Sequence, residues 1–419
     1  MYIPSVGIME ELMNKLFNKD FTLVVLGQII SLFGNAILRF ALPLYLLKET
    51  GSAAIFGIVT ASSFLPMIFL SFLGGILADR VNKRNIMVVL DFFTALVIFA
   101  LSISLGRLPI VPLLIISLML LYGISGTYQP TVQASIPALV SSDKILSASA
   151  IVNQVNALAS LLGPVVGGML YGTFGIMPIL IISMVCFLIS AIMEIFIKIP
   201  FEKRKSEKIL TIIKNDFKDS INYMRIEKPL LMKVVAFIAL FNLILTSIII
   251  IGIPVIIVNT LKLSDELLGL SQGIFALGGL IGGIVTAMLG ARLKMKNSFI
   301  LLVTCSLCVG IIALPLLCNA PTMITYWILT GSCFVFMASA SIFSIQMVAT
   351  IQKETPSELI GKIIALAMAI SMCAQPIGQA MYGIIFENFS ANIAEILLIV
   401  TVISFLISIV TKRLFSQIE

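Results

Sequence analysis

The sequence contains no histidine. That removes the side chain most often used as a switch near neutral pH and one of the usual zinc ligands. Charge is almost as scarce: only 11% of the 419 residues are Asp, Glu, Lys or Arg, against about 25% in a soluble domain. No phosphate-cradling G-x-x-x-x-G-K-[ST] loop is present, so ATP is not the energy source. No nucleophile–base pair or metal cluster can be picked out, which argues against an enzyme and against any metal or cofactor. What fills the space is apolar: 59% of the chain is hydrophobic. A chain so poor in charge and so rich in apolar residues is an integral membrane protein.

Six cysteines, Cys186, Cys305, Cys308, Cys318, Cys333 and Cys373, all fall within or beside apolar runs, where thiols behave as small hydrophobes. The net charge of +7 would suggest nucleic acid in a soluble protein, but here the cations sit in short loops between apolar runs. The first 20 residues lack a basic–apolar–small-residue signal pattern. Met9, Leu12, Met13 and Leu16 instead recur at helical spacing, which predicts a short interfacial helix.

A membrane span needs about 20 apolar residues. Twelve runs meet that need, at 21–46, 53–78, 85–105, 110–136, 146–171, 175–198, 231–259, 267–291, 298–318, 322–348, 359–386 and 391–411. Of the 27 Lys and Arg, only Lys48, Arg107 and Lys262 fall in the odd-numbered loops, and Arg39 lies inside the first run. All others sit on the opposite side, so that side and both termini are expected in the cytoplasm. The one long polar segment, residues 199–230, opens on a charge cluster. Ile209, Leu210, Ile213, Phe217 and Ile221 then mark the face of an amphipathic helix. It divides the chain into an N-terminal six-helix bundle (1–198), this cytoplasmic loop (199–230) and a C-terminal six-helix bundle (231–419). A shift of 212 residues lays Arg80 over Arg292, Arg84 over Lys296, Gly57 over Gly269 and Pro164 over Pro376. Such pseudo-symmetric halves are the arrangement of a rocking transporter.

The loop between the second and third runs reads Gly74-Gly75-Ile-Leu-Ala-Asp79-Arg80-Val-Asn82-Lys83-Arg84. Asp79 ends a helix, where the unpaired carbonyls disfavour an acid unless a cation or another helix N-terminus is close. The eleventh run supplies a candidate: Thr355-Pro-Ser-Glu358 reads as a capping box with proline at the first helical position, followed by Lys362. A conformational latch of Gly75, Asp79, Arg80, Arg84, Asp91 and Lys362 is expected. For Asp91 a salt bridge to Arg80 or Arg84 is preferred over carriage of a proton. Glu194 is expected at the interface.

This loop resembles the G-x-x-x-D-R-x-G-R-R signature of the major facilitator superfamily, with Asn82 in the usual glycine position. Ala159 and Gly163-Pro164-Val-Val-Gly167-Gly168 resemble the superfamily's antiporter signature G-x-x-x-G-P-x-x-G-G, with alanine for the first glycine. That implies export, with Pro164 as an expected kink. Gly126-Thr-Tyr-Gln-Pro130, Ala134-Ser-Ile-Pro137, Arg84-x-x-Met87-x-x-x-Asp91 and Pro356-Ser-Glu-Leu-Ile-Gly361-Lys362 are similar to the macrolide-efflux-like branch. The buried Arg of many proton-coupled relatives is missing from Leu120-Leu-Tyr122-Gly123.

Polar residues within spans tend to face the interior. Gln28, Asn35 and Arg39 in the first run, Tyr122 and Gln129 in the fourth, Asn153 and Asn156 in the fifth, Asn242, Gln272 and Gln375 in the second half are expected to line a central substrate cavity. Arg39 either contacts an anion or gate, or snorkels to outer headgroups. The expectation is therefore an all-α, twelve-helix secondary transporter of the cytoplasmic membrane, exporting small amphipathic compounds. By resemblance it exchanges them for protons. It acts as a monomer in the lipid bilayer, without nucleic acid. A metabolite, siderophore or lysolipid carrier, or a non-transporting sensor, is the alternative.

Overall fold

A computed structural model describes residues 16–200, 220–290, 297–356 and 359–415, apart from a few side chains near residues 72–79 and 413–415. Among the described residues the chain is helical without strands, and twelve helices are long and apolar enough to cross a membrane. They are α1 (Lys19–Thr50), α2 (Ala53–Arg80), α3 (Lys83–Ser104), α4 (Ile110–Leu139), α5 (Ile145–Phe174), α6 (Ile176–Ile195), α7 (Pro229–Thr260), α8 (Asp265–Leu289), α9 (Ser298–Leu317), α10 (Thr322–Glu354), α11 (Ile360–Asn388) and α12 (Ile393–Phe415). With no water in a bilayer core, helices satisfy every backbone group internally, and this explains the absence of any other regular structure. The interfacial helix expected before residue 16, most of the amphipathic helix at 209–221 and the cations Arg292 and Lys296 lie outside the described residues.

The chain forms two compact units. One comprises the chain to Tyr45 and Ser62–Lys205; the other comprises Leu46–Ala61 and Ser206 onward. The turn from α1 into α2 groups with the second unit. In the first unit, Phe21, Val24, Met87, Tyr128, Val132, Ile136 and Val152 form one core cluster. In the second, Leu231, Val235, Ile351, Ile363 and Leu366 form another.

Local signals explain several boundaries. Gly175 alone separates α5 from α6, at φ 74, a conformation that glycine adopts without a Cβ penalty. Asn82 caps α3, its Oδ1 accepting the Arg84 N–H at 3.0 Å. Its φ of −58 shows that no left-handed residue is needed there, so asparagine replaces the family glycine as a cap. The capping box read at Thr355 does not start α11. That helix begins at Ile360, Thr355 Oγ1 is buried without a partner, and the Pro356 carbonyl receives the Leu359 and Ile360 amides in a preceding turn. Pro164 lies within a continuous α5, and Pro376 holds the equivalent place in α11. At the start of α7 the Glu354 carboxylate, 2.9 Å from Lys228, holds that ammonium above the usual lysine range.

Glycine sets the closest helix crossings. On α8, a Cβ added at Gly278 would stand 2.3 Å from the Phe334 carbonyl oxygen, and one at Gly282 would stand 2.4 Å from that of Ala338. These are backbone atoms of α10 and cannot give way. Small residues at such a seam let helices pack without a hydrophobic drive. Gly283 on the same helix faces open space. Gly278→Ala is expected to lower stability by about 1–3 kcal/mol through overpacking, while Gly283→Ala leaves it unchanged. Thermal unfolding in detergent, followed by size-exclusion recovery, checks the pair.

Candidate functional site

The second unit holds a pocket of about 430 Å3, lined from α7, α8, α10 and α11. Phe241, Phe275, Phe336, Phe343 and Met337 supply most of its wall; Asn242, Thr246 and Gln375 supply neutral polar points. Phe241 stacks on Phe336 at 6.1 Å and tilts against Phe343 at 5.5 Å, an arrangement worth more than area burial alone. Asn242–Thr246 is a π-type turn, which widens the helix locally. Within it Asn242 Nδ2 bonds back to the Ile238 carbonyl at 3.1 Å. The single Ser247 hydroxyl hydrogen is within reach of two backbone oxygens, those of Asn242 at 2.8 Å and Gln375 at 2.9 Å. Gly378 lets α11 approach here: a Cβ on it would stand 2.1 Å from the Leu243 oxygen. No side chain lining this pocket is charged.

The first unit holds polar groups of another kind. Asp91 of α3 and Glu194 of α6 are both buried, at 2% and 0% exposure. The Tyr128 hydroxyl of α4 donates to Glu194 Oε1 at 2.5 Å, and Gln28 Nε2 of α1 donates to the Tyr128 oxygen at 2.9 Å. A small cavity of about 20 Å3, bordered by Ser31, Asn35, Asp91, Tyr128 and Gln129, adjoins them. Nearby on α1, the Arg39 guanidinium lies 3.8 Å over the Tyr122 ring and reaches Met67 Sδ, while Phe64 meets Tyr122 edge-on at 5.1 Å. This is a cation–π contact.

The turn from α1 into α2 is fastened within the second unit. Lys48 pairs with Asp265 at 2.9 Å. Glu387 Oε2 accepts the Ala53 and Ala54 amides at 2.8 and 3.4 Å, so a carboxylate from α11 caps α2. Asn259 Nδ2 donates to the Gly51 oxygen at 3.2 Å. Gly57 and Gly383 cross so closely that a Cβ on either would come within 2.9 Å of the other's Cα.

These contacts redistribute the residues expected in one cavity. Asn242 and Gln375 line the pocket of the second unit, whereas Gln272 is half-buried on α8 and is not part of its wall. Gln28 is not a cavity residue: it is fully buried in the Tyr128–Glu194 chain. Asn35 bonds Ser125 Oγ at 3.0 Å, and both Asn35 and Gln129 border the small cavity. Asn153 accepts from Gln133 at 3.2 Å, and Asn156 turns back to the Val152 carbonyl of its own helix. Arg39 does not stand free, because Tyr122 takes its cationic face. Gly163 and Gly167 seat α5 against α1, a Cβ at Gly163 standing 2.4 Å from that of Ala36; Gly168 is buried beside them.

The latch residues are also reassigned. Asp91 has no ion pair with Arg80 or Arg84. Its burial on α3 puts it with Ser190 of α6, seven residues and about 10 Å along the axis from Arg84. Glu194, near the end of α6, is fully buried between helices. Arg80 is exposed at the end of α2, Arg84 is half-buried in the first turn of α3, and Lys362 is half-buried in the first turn of α11. Gly75 and the Asp79 side chain lie outside the described residues, as do Ser357 and Glu358. Sequence position obscures the carboxyl pair: Asp91 stands in a motif with Arg80 and Arg84, and Glu194 stands at the end of its run. A usable signal was present: Ser183, Ser190 and Glu194 fall on one face of α6, and all three are fully buried.

The family model for the Major Facilitator Superfamily matches residues 24–379. The chain belongs to that superfamily. It is a multi-pass transporter of the cell membrane, and its relatives are transporters rather than enzymes. It is 23% identical over 376 residues to macrolide efflux protein A of Streptococcus pyogenes, covering 87% of this chain and 89% of that one. It is likewise 23% identical over 390 residues to the uncharacterised MFS-type transporter YkuC of Bacillus subtilis strain 168, covering 90% and 87%. In fold it is similar to the nucleoside transporter NupG, at a TM-score of 0.72 and 13% identity, covering 96% of this chain and all of that one.

The Glu387 cap gives a direct check on the fastening of the α1–α2 turn. Loss of a helix cap costs about 1 kcal/mol, so Glu387→Ala is expected to speed amide hydrogen exchange at Ala53 and Ala54 about fivefold. Exchange within Gly278–Gly282 of α8 stays unchanged in the same experiment.

Proposed function

We propose that this transporter exports small amphipathic organic compounds, of the drug or macrolide kind, by alternating access and in exchange for protons. The observation that carries the reading is the 430 Å3 pocket walled by Phe241, Phe275, Phe336, Phe343 and Met337 with only neutral polar groups. Its volume falls in the range of small-molecule sites. Its wall suits an apolar body with a few hydrogen-bonding points and gives a strongly charged metabolite nothing to pair with. The name of the streptococcal relative supports export of such compounds, and the Gly163-Pro164 motif supports the antiport direction by resemblance. The Lys and Arg bias supports placing both termini in the cytoplasm. The Asp79 loop and Lys362 serve this reading as the cytoplasmic latch, and the chain works as a monomer.

Energy comes from the proton gradient in this reading. Alternating access requires only that each conformation bind its ligands with different affinity. In this reading the pocket changes its affinity for substrate between the two conformations.

Purified protein in proteoliposomes, given a panel of amphipathic compounds and an imposed pH gradient, tests the proposal. At least one compound is expected to move against its gradient. Phe275→Ala removes an aromatic side chain worth roughly 1.5–3 kcal/mol of burial and is expected to weaken apparent affinity about tenfold or more, with the protein still folded. Failure of every compound to move, or a Phe275→Ala variant indistinguishable from wild type, rejects the assignment of this pocket to drug-like substrates.

A further inference from the structure

The substrate pocket does not account for the polar cluster buried in the first unit, and that cluster is short of hydrogens. Glu194 Oε1 receives the Tyr128 proton, and the Tyr128 oxygen receives one from Gln28. The Ser190 hydroxyl gives its one proton to the Gly27 carbonyl at 3.2 Å. Asp91 also lies within reach of that hydroxyl, so one proton stands between two acceptors. Glu194 Oε2, Asp91 Oδ2, Gln28 Oε1 and Ser31 Oγ are buried without any partner. Three of these four atoms are acceptors only. Buried acceptors left unpaired are costly, so the site is built to take up something that donates.

Among the described residues no side-chain cation pairs with Asp91 or Glu194. Helix α4 has no Lys, Arg, Asp or Glu, and it faces the pair with Tyr128. Helix α6 carries only Glu194, and α5 carries no charged residue. On α1, Arg39 is engaged with Tyr122 and the Asp20 carboxylate takes the Lys198 amide. On α3, Lys83 and Arg84 stand two turns away from Asp91. The charged residues of α2, Asp79 and Arg80, end that helix. Two carboxylates in such surroundings would be uncompensated, which burial makes prohibitive. The adjoining cavity of about 20 Å3 has room for one water molecule, with Asn35, Ser31 and Gln129 around it as a polar path to the pair.

We propose that Asp91 and Glu194, the latter held by Tyr128 and Gln28, form the site at which the coupling proton is taken up and released. The proposal rests on the proton-antiport reading and adds the residues that carry it. Uptake forms one O–H bond on a carboxylate oxygen, and release returns that proton to water through the small cavity. Tyr128 keeps its own proton throughout. It positions Glu194, and Gln28 positions Tyr128.

Infrared difference spectroscopy of the full-length protein in lipid, without substrate, tests the site separately from transport. Wild type is expected to show a protonated-carboxyl band that shifts in heavy water and titrates with pH. Glu194→Gln and Asp91→Asn, which preserve side-chain shape, each remove part of that band. Tyr128→Phe keeps it but moves its frequency. Sodium at fixed pH leaves it unchanged. A titrating band identical in wild type and both carboxyl variants, no titrating band at all, or a band displaced by sodium overturns the proposal. In proteoliposomes, Glu194→Gln is expected to lose at least tenfold in gradient-driven accumulation while retaining substrate exchange. If wild type itself shows no gradient-driven movement, the antiport reading fails, whereas the spectroscopic titration still decides whether this pair exchanges a proton.

Discussion

A bilayer core offers no water to hydrogen-bond with, and nearly every feature of this chain answers to that constraint. Backbone groups are satisfied within helices. Side-chain hydroxyls mostly turn back to carbonyls of their own helix, as Thr60, Thr94, Thr131 and Ser408 do. Helices are held together by close approach instead of by the hydrophobic effect. Hence the glycines at Gly126, Gly163, Gly278 and Gly378, where an added Cβ would strike the neighbouring helix. Against that background a polar atom without a partner is informative. In the first unit such atoms gather around Asp91 and Glu194, which is why that cluster, more than any sequence motif, points to a function.

The two units carry different chemistry. The second presents an aromatic, uncharged pocket whose selectivity comes from shape and a few neutral hydrogen-bonding points. The first presents a carboxyl pair short of hydrogens and, beside it, an arginine masked by an aromatic ring. Coupling between a proton and an apolar substrate requires that one conformational equilibrium respond to both ligands. Separate sites suffice for that, because linkage needs differential affinity and no direct contact. The α1–α2 turn belongs to the second unit through Lys48–Asp265 and the Glu387 cap, while the rest of α1 carries Gln28 and Arg39 in the first. Helix α1 therefore has residues in both units, a covalent link between them.

Much of this was legible from residues alone, and for a physical reason. Length and hydropathy report directly on whether a segment can span lipid, so the twelve helices could be read off. The half-repeat put Pro164 and Pro376 in equivalent helices. Side-chain partners were harder, since they depend on helix rotation and neighbour choice. Gln28, Asn35 and Arg39 lie on one face of α1, yet they go to three separate partners: Tyr128, Ser125 and Tyr122. A shared motif suggests a salt bridge of Asp91 with Arg80 or Arg84. Burial turns its carboxyl towards α6 instead. The pocket aromatics come from α7, α8 and α10, and no spacing rule links positions so far apart in sequence.

The central claim is that proton exchange at Asp91 and Glu194 is linked to occupancy of the aromatic pocket. Equilibrium affinity for a transported compound, measured against pH in detergent or nanodiscs for wild type and Glu194→Gln, tests it most directly. One-for-one exchange predicts that wild-type affinity rises with pH, by about tenfold per unit across the titrating range, and that the variant's affinity is flat. An affinity indifferent to pH in wild type, or the same slope in both proteins, would contradict the account.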